Sequence, residues 1–190
     1  MNKGKWTAAG ITLFLLAFFL FLNWQYPYSF ISVKKSIRFQ PDPKVAEEYK
    51  TDFQSFRQHY YSNSVELASL TDNRTEFVLN AFDQKWLMSS EPVTMDSMKL
   101  NDILTEVQDA RTLIMELAFR ETYPQETKEY LKIALENSIE MESYLLMVKN
   151  NPSITRERSN SMFHQMHMMF QNELKMYESF YESYQQSYKK

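Results

Sequence analysis

The sequence predicts an all-α protein, an N-terminal transmembrane helix followed by an antiparallel α-helical bundle of about four to five helices. Three observations predict it. Residues Trp6 to Leu22 form an apolar run without a charge. The only glycines are Gly4 and Gly10. Beyond them, apolar residues recur at spacings of three and four, the period of one helix face.

Extended to Trp24, the apolar run has about 19 residues, the length that crosses a hydrocarbon core as a helix. Trp6 lies at one end and Trp24, Tyr26 and Tyr28 at the other, where aromatic rings sit at headgroup level. Pro27 cannot continue the helix. The run ends Phe19-Leu20-Phe21-Leu22-Asn23 without the small residues of a cleavage site, so an uncleaved signal anchor is expected. Absence of Cys excludes a lipid-modified cysteine. Lys3 and Lys5 place the N-terminus in the cytoplasm and the body outside, although Lys34, Lys35, Arg38 and Lys44 pull the other way. The expected divisions are a cytoplasmic tail over 1–5, an anchor over 6–25, a tether over 26–41 and an extracytoplasmic bundle over 42–190.

In the tether, Ile31, Val33, Ile37 and Phe39 alternate with polar residues, a period-two pattern that suits an extended segment laid on the bundle. A strand pairing with a partner protein and a helix lying on lipid, with Lys34, Lys35 and Arg38 on one face, are the alternatives.

Asp42-Pro43 reads as a helix cap followed by the first helical residue. Val45, Tyr49, Phe53, Phe56 and Tyr60 follow on one face, and the helix breaks at 62–64 or 71–73. A second helix is expected from about Arg74 to Met88, carrying Phe77, Ala81, Phe82 and Trp86. After Pro92, Thr94 or Asp96 opens a helix bearing Leu100, Ile103, Val107, Ala110, Ile114 and Leu117. Pro124 resets the pattern to Leu131, Ala134, Ser138, Met141, Leu145 and Val148. After Asn150-Asn151-Pro152-Ser153, the last helix carries Phe163, Met166, Phe170, Leu174, Tyr177, Tyr181, Tyr184 and Tyr188 over about 34 residues, near 50 Å.

Of the 21 basic residues only Lys3 and Lys5 precede residue 30, so the body carries 19 against 24 acidic ones. That balance offers no basic face to nucleic acid. Without glycine there is no phosphate-cradling loop, dinucleotide fingerprint or nucleophile elbow. His59 has no nucleophile motif beside it, and Glu136, Glu140 and Glu142 read as solvated faces. No enzyme is expected.

Two clusters stand out. Met162, Met166 and Met169 share one helix face, and His164, His167 and Met168 lie close together on another; thioethers with imidazole suit Cu(I), with Met162, Met166, His167 and Met169 as the ligands. Met also fills irregular core gaps, which is the plainer reading of the same residues. In the tyrosine stripe, Tyr177 and Tyr181 suit the rim of the core, while Tyr184 and Tyr188 near the end of the chain suit contact with a partner. The expected role is a non-enzymatic interaction or assembly module of the bacterial cell envelope. Its partners would be membrane lipid and an envelope protein or a second copy of the chain; the alternative is a copper-binding bundle.

Overall fold

The computed structural model describes residues 3–33, 35–63 and 69–188, with side chains described for all of these but 3–8, 63 and 188. The order is α1 (Lys3–Gln25), β1 (Ser36–Phe39), α2 (Pro43–Asn63), α3 (Leu70–Phe82), α4 (Lys85–Met88), β2 (Val93–Asp96), α5 (Ser97–Arg120), α6 (Gln125–Asn150) and α7 (Arg156–Tyr188). The protein is mostly helical. Five long helices form the bundle, with α4 a single turn between them.

Local chemistry sets the boundaries. Asp42 Oδ1 accepts from the Lys44 N–H at 2.8 Å, and Pro43 is the first residue of α2. Proline there forfeits no helical bond, because the first N–H groups lack partners in any helix. Asp96 caps α5 through Lys99 N at 2.8 Å. Pro124 stands before α6. Thr155 Oγ1 accepts from Arg158 N at the start of α7.

The helix expected over 74–88 is two elements. It starts earlier, at Leu70, and breaks after Phe82, where Asp83 N–H turns back to Leu79 and Asn80 carbonyls. The break lets Trp86 and Leu87 turn into the core on α4.

Helices α5, α6 and α7 pack in sequence, α3 lies on α5, and α7 also meets α2, α3 and β1. The connections over 121–124 and 151–155 are short enough that consecutive helices run back along one another. The core is strongly aromatic. Phe39 lies 6.2 Å from Trp86 and 5.6 Å from Phe163 between ring centres, and Trp86 meets Phe170 edge-on at 5.7 Å. Such edge contacts place positive ring edges against negative faces.

The sheet is an addition to the all-α expectation. β1 pairs antiparallel with β2, Ile37 opposite Met95 and Phe39 opposite Val93. Ile37 and Phe39 are buried while Arg38 is exposed, the alternation the sequence carries. The extended segment is real, and its pairing partner is a strand of its own chain. Lys35, in the left-handed region at φ 42°, turns the chain into β1.

Tyr28 departs from expectation. It is buried, and its hydroxyl donates to the Met95 carbonyl at 2.7 Å. Folding the tether back on β2 puts this ring in the core. Burial raises the phenol far above its ordinary range, with Asp96 adding to it. Tyr28→Phe leaves that carbonyl without its donor and is expected to cost about 1–2 kcal/mol. A shift of the urea midpoint with unchanged slope checks it; unaltered stability would mean the tether is not docked.

α1 stands apart. It does not pack broadly on any bundle element. Leu13 to Leu16 and Phe18 to Phe21 are exposed on every side of the helix, between 45% and 69%. Among the described residues, no helix is long and apolar enough to cross a membrane. The described side chains of α1 begin at Ala9, so Trp6 lies outside them. What stands is an apolar helix projecting from a bundle; the membrane span expected over 6–25 is not supported by this.

Candidate functional site

Three places concentrate polar chemistry: the start of α3, the core face of α7, and a groove between α3 and α5.

At the start of α3, Ser69 Oγ accepts from Asp72 N at 2.9 Å and donates to Asp72 Oδ2 at 2.7 Å. This is helix capping closed on itself. Around it, Tyr181 donates to Asp72 Oδ1 at 2.9 Å and Gln185 Nε2 to the same oxygen at 3.2 Å. Tyr184 donates to Ser69 Oγ at 2.6 Å. Tyr60 donates to the Asp72 carbonyl at 2.9 Å. Within the same turn Thr71 meets Tyr123 at 2.7 Å, and one turn on Thr75 meets Tyr177 at 3.1 Å. α2, α3 and α7 are thereby tied through hydroxyls at one end of the bundle. Burial pushes the Tyr60 phenol up to about 12, helped by Glu76 and Asp72, and raises Tyr177 and Tyr181 further. These are neutral donors, not proton shuttles.

Tyr184, expected to contact a partner, is 3% exposed and bonded inside the chain. Asp72 and Ser69 are what draws it in. The Tyr188 side chain lies outside the described residues. The spacing Ser69-Leu70-Thr71-Asp72 was the available signal, a capping pattern ahead of an apolar face.

On the core face of α7, Met162 and Met166 are buried in the hydrophobic cluster and Met169 packs against it half-buried. His167, 2% exposed, lies edge-on to Tyr49 at 5.8 Å and Trp86 at 5.7 Å. Burial holds its imidazole down at about 4, and His164 adds to this. Among the described residues, its Nε2 and the Trp86 indole nitrogen have no hydrogen-bond partner. Among the described residues no group of three or more His, Cys, Asp or Glu could hold a metal. Polarizable unbranched side chains at such buried positions fill gaps in a core. Glu173 faces α6, with Ser138 donating to its Oε1 at 2.7 Å. Burial pushes this carboxyl up to about 8 against the bonds from Ser138 and Asn137.

The groove between α3 and α5 encloses about 580 Å³, with Arg74, Phe77, Glu106, Asp109, Leu113 and Glu116 in its walls. Arg74 grips Glu116 with two nitrogens, at 2.7 and 3.1 Å. That guanidinium, with Arg120 adding to it, holds the Glu116 carboxyl below the usual range. Phe77 is half exposed above this fork. Phe77 and Leu113 give the groove apolar wall beside this fixed charged edge.

No known protein family, curated protein or solved structure matches this chain.

Of the expected membrane aromatics, Trp24 is exposed at the exit of α1, Tyr26 is half-buried and Tyr28 is in the core. The residue that joins them to the bundle escaped sequence reading. Arg156, first in α7, donates from Nε to the Trp24 carbonyl at 3.1 Å and stacks its guanidinium 5.7 Å from the Trp24 ring centre. Nothing near Arg156 in sequence signals that contact across 132 positions.

Proposed function

We propose that the chain is a membrane-anchored, non-enzymatic interaction module, with α1 held in lipid and the helical bundle presented beside the membrane. The observation that carries the reading is the apolar surface of α1. Its large side chains from Leu13 to Phe21 face outward on all sides, 45–69% exposed. Exposure of this extent calls for an apolar environment, and hydrocarbon supplies it to a helix uniformly around its axis. With 23 residues, α1 is about 34 Å long. Lys3 and Lys5 favour a cytoplasmic N-terminus and a bundle on the opposite side.

The interaction half of the reading rests on where polar groups are used. Asp72, Glu173 and the buried tyrosines bond within the chain. The groove between α3 and α5 leaves Phe77 and the carboxylates of Glu106 and Asp109 outward. Fixing such a surface to a membrane raises its effective concentration for a partner in the same bilayer.

Alkaline carbonate washing of membranes from cells making the full chain tests the anchor. The wild type is expected to stay in the pellet. Leu15→Lys with Phe18→Lys is expected to release it, because each lysine at mid-helix costs about 3 kcal/mol of insertion. A wild type that washes off would overturn the proposal. Photocrosslinking from position 77 in native membranes then tests the groove: a dominant product with another protein supports it, and no product removes it.

A further inference from the structure

Where α1 meets the bundle, two clefts of about 450 and 440 Å³ share Trp24 and Arg156 in their walls. Arg38, Gln40, Glu157 and Asn160 complete the first. Asn23, Ser32, Val33 and Ser36 line the second, beside Phe19 and Leu20 of α1. The charge is uneven: two guanidinium groups against the one carboxylate of Glu157. Neither Arg38 nor Arg156 has an ion-pair partner among the described residues.

Arg156 is oriented rather than free. Its Nε is fixed on the Trp24 carbonyl and its guanidinium carbon lies over the indole, 5.7 Å from the ring centre. The terminal nitrogens make no protein hydrogen bond among the described residues. A guanidinium held this way presents a fork of donors that matches two oxygens of a phosphate. Asn23 Nδ2 donates to the Ile31 carbonyl at 3.3 Å, which pins the following loop against the helix exit. On that loop Phe30 and Val33 project into solvent, 86% and 81% exposed. Apolar tips beside cations, around the end of an apolar helix, are the composition of a surface that meets a bilayer interface.

We propose that this collar binds the phosphate of an anionic phospholipid headgroup, with Arg156 and Arg38 as donors, Trp24 as the wall, and Phe30 and Val33 dipping among the acyl chains. The inference rests on the reading of α1 as a lipid anchor. A zwitterionic choline headgroup is the poorer ligand, because its cation would face the same two arginines.

The test uses the full chain reconstituted into vesicles of phosphatidylcholine mixed with phosphatidylglycerol. Flotation is measured first, then the lipid retained after mild detergent extraction. The wild type is expected to float and to retain phosphatidylglycerol enriched several-fold over the bulk ratio. Arg38→Gln with Arg156→Gln is expected to float equally and retain lipid at the bulk ratio. A floating wild type without enrichment, or a variant that keeps it, overturns the headgroup site while the anchor stands. A wild type that does not float overturns both. Added inorganic phosphate is expected to leave the enrichment in place; displacement by it would make the site one for soluble phosphate and overturn the lipid assignment.

Discussion

Replacing Asp72 by alanine is expected to lower the unfolding free energy by about 2–3 kcal/mol. The substitution takes the acceptor from Tyr181, Gln185 and the Ser69 hydroxyl at once, while the backbone N–H of residue 72 still caps the helix on Ser69 Oγ. A buried hydroxyl left without a partner costs about 1–3 kcal/mol. The effect exceeds that of a surface carboxylate because water reaches this end of the bundle poorly: Tyr60, Tyr181 and Tyr184 are all buried around it. Urea unfolding reads it directly. Tyr184→Phe, which removes one donor and leaves the rest, is expected to cost about 1 kcal/mol. Should the alanine variant prove as stable as that phenylalanine variant, the tyrosines do not converge on Asp72.

The second large effect is a stability that falls as pH rises through neutrality towards 8. Glu173 is the cause. Its carboxyl is raised by burial to about 8 in the folded protein, against about 4.3 in an unfolded chain. Between those values the folded state holds a proton that the unfolded state has released. Stability therefore falls as pH rises, by up to about 1.4 kcal/mol per pH unit. Glu178, half-buried beside Glu182 and Asp52, is raised to about 7 and acts in the same direction, more weakly in salt. His167 opposes them on the acid side. Its folded value of about 4 lies below an unfolded value near 6.5, so it removes stability as pH falls through that interval. From pH 7 to 8 the slope belongs chiefly to Glu173. Glu173→Gln is expected to flatten it and to raise stability at pH 8, since glutamine still accepts from Ser138. Equal slopes in the two proteins over that interval would show that the carboxyl is already ionised when folded.

Much of the bundle was legible because helix signals are local. Asp42-Pro43, Asp96 and Pro124 act within a turn of their own positions, and the core faces of α5, α6 and α7 repeat at three and four residues. The sheet was half legible. Alternation marked Ile37 and Phe39 as one face, but nothing local marks Val93 to Asp96 as their partner, and four residues after a proline hold too little pattern. Tyr28 and Tyr184 were read by position, one beside an apolar run and the other near a terminus. Their fates are set by residues 67 and 115 positions away. The same holds for Arg156, whose partner on α1 is fixed by how α7 is laid down. Sequence periodicity finds the faces of elements; it does not find which hydroxyl or guanidinium closes a contact between them.

The length of α7 has a mechanical consequence. Its 33 residues form a rod of about 50 Å. Arg156 at its first turn holds the exit of α1, and Tyr181, Tyr184 and Gln185 in its last turns hold the start of α3. A continuous helix without proline or glycine resists bending, since a kink would break its ladder of backbone bonds. A one-degree tilt of the rod about its first turn would displace the tyrosine end by roughly 1 Å, given that length, so α7 links the exit of α1 to the start of α3 through a single stiff element.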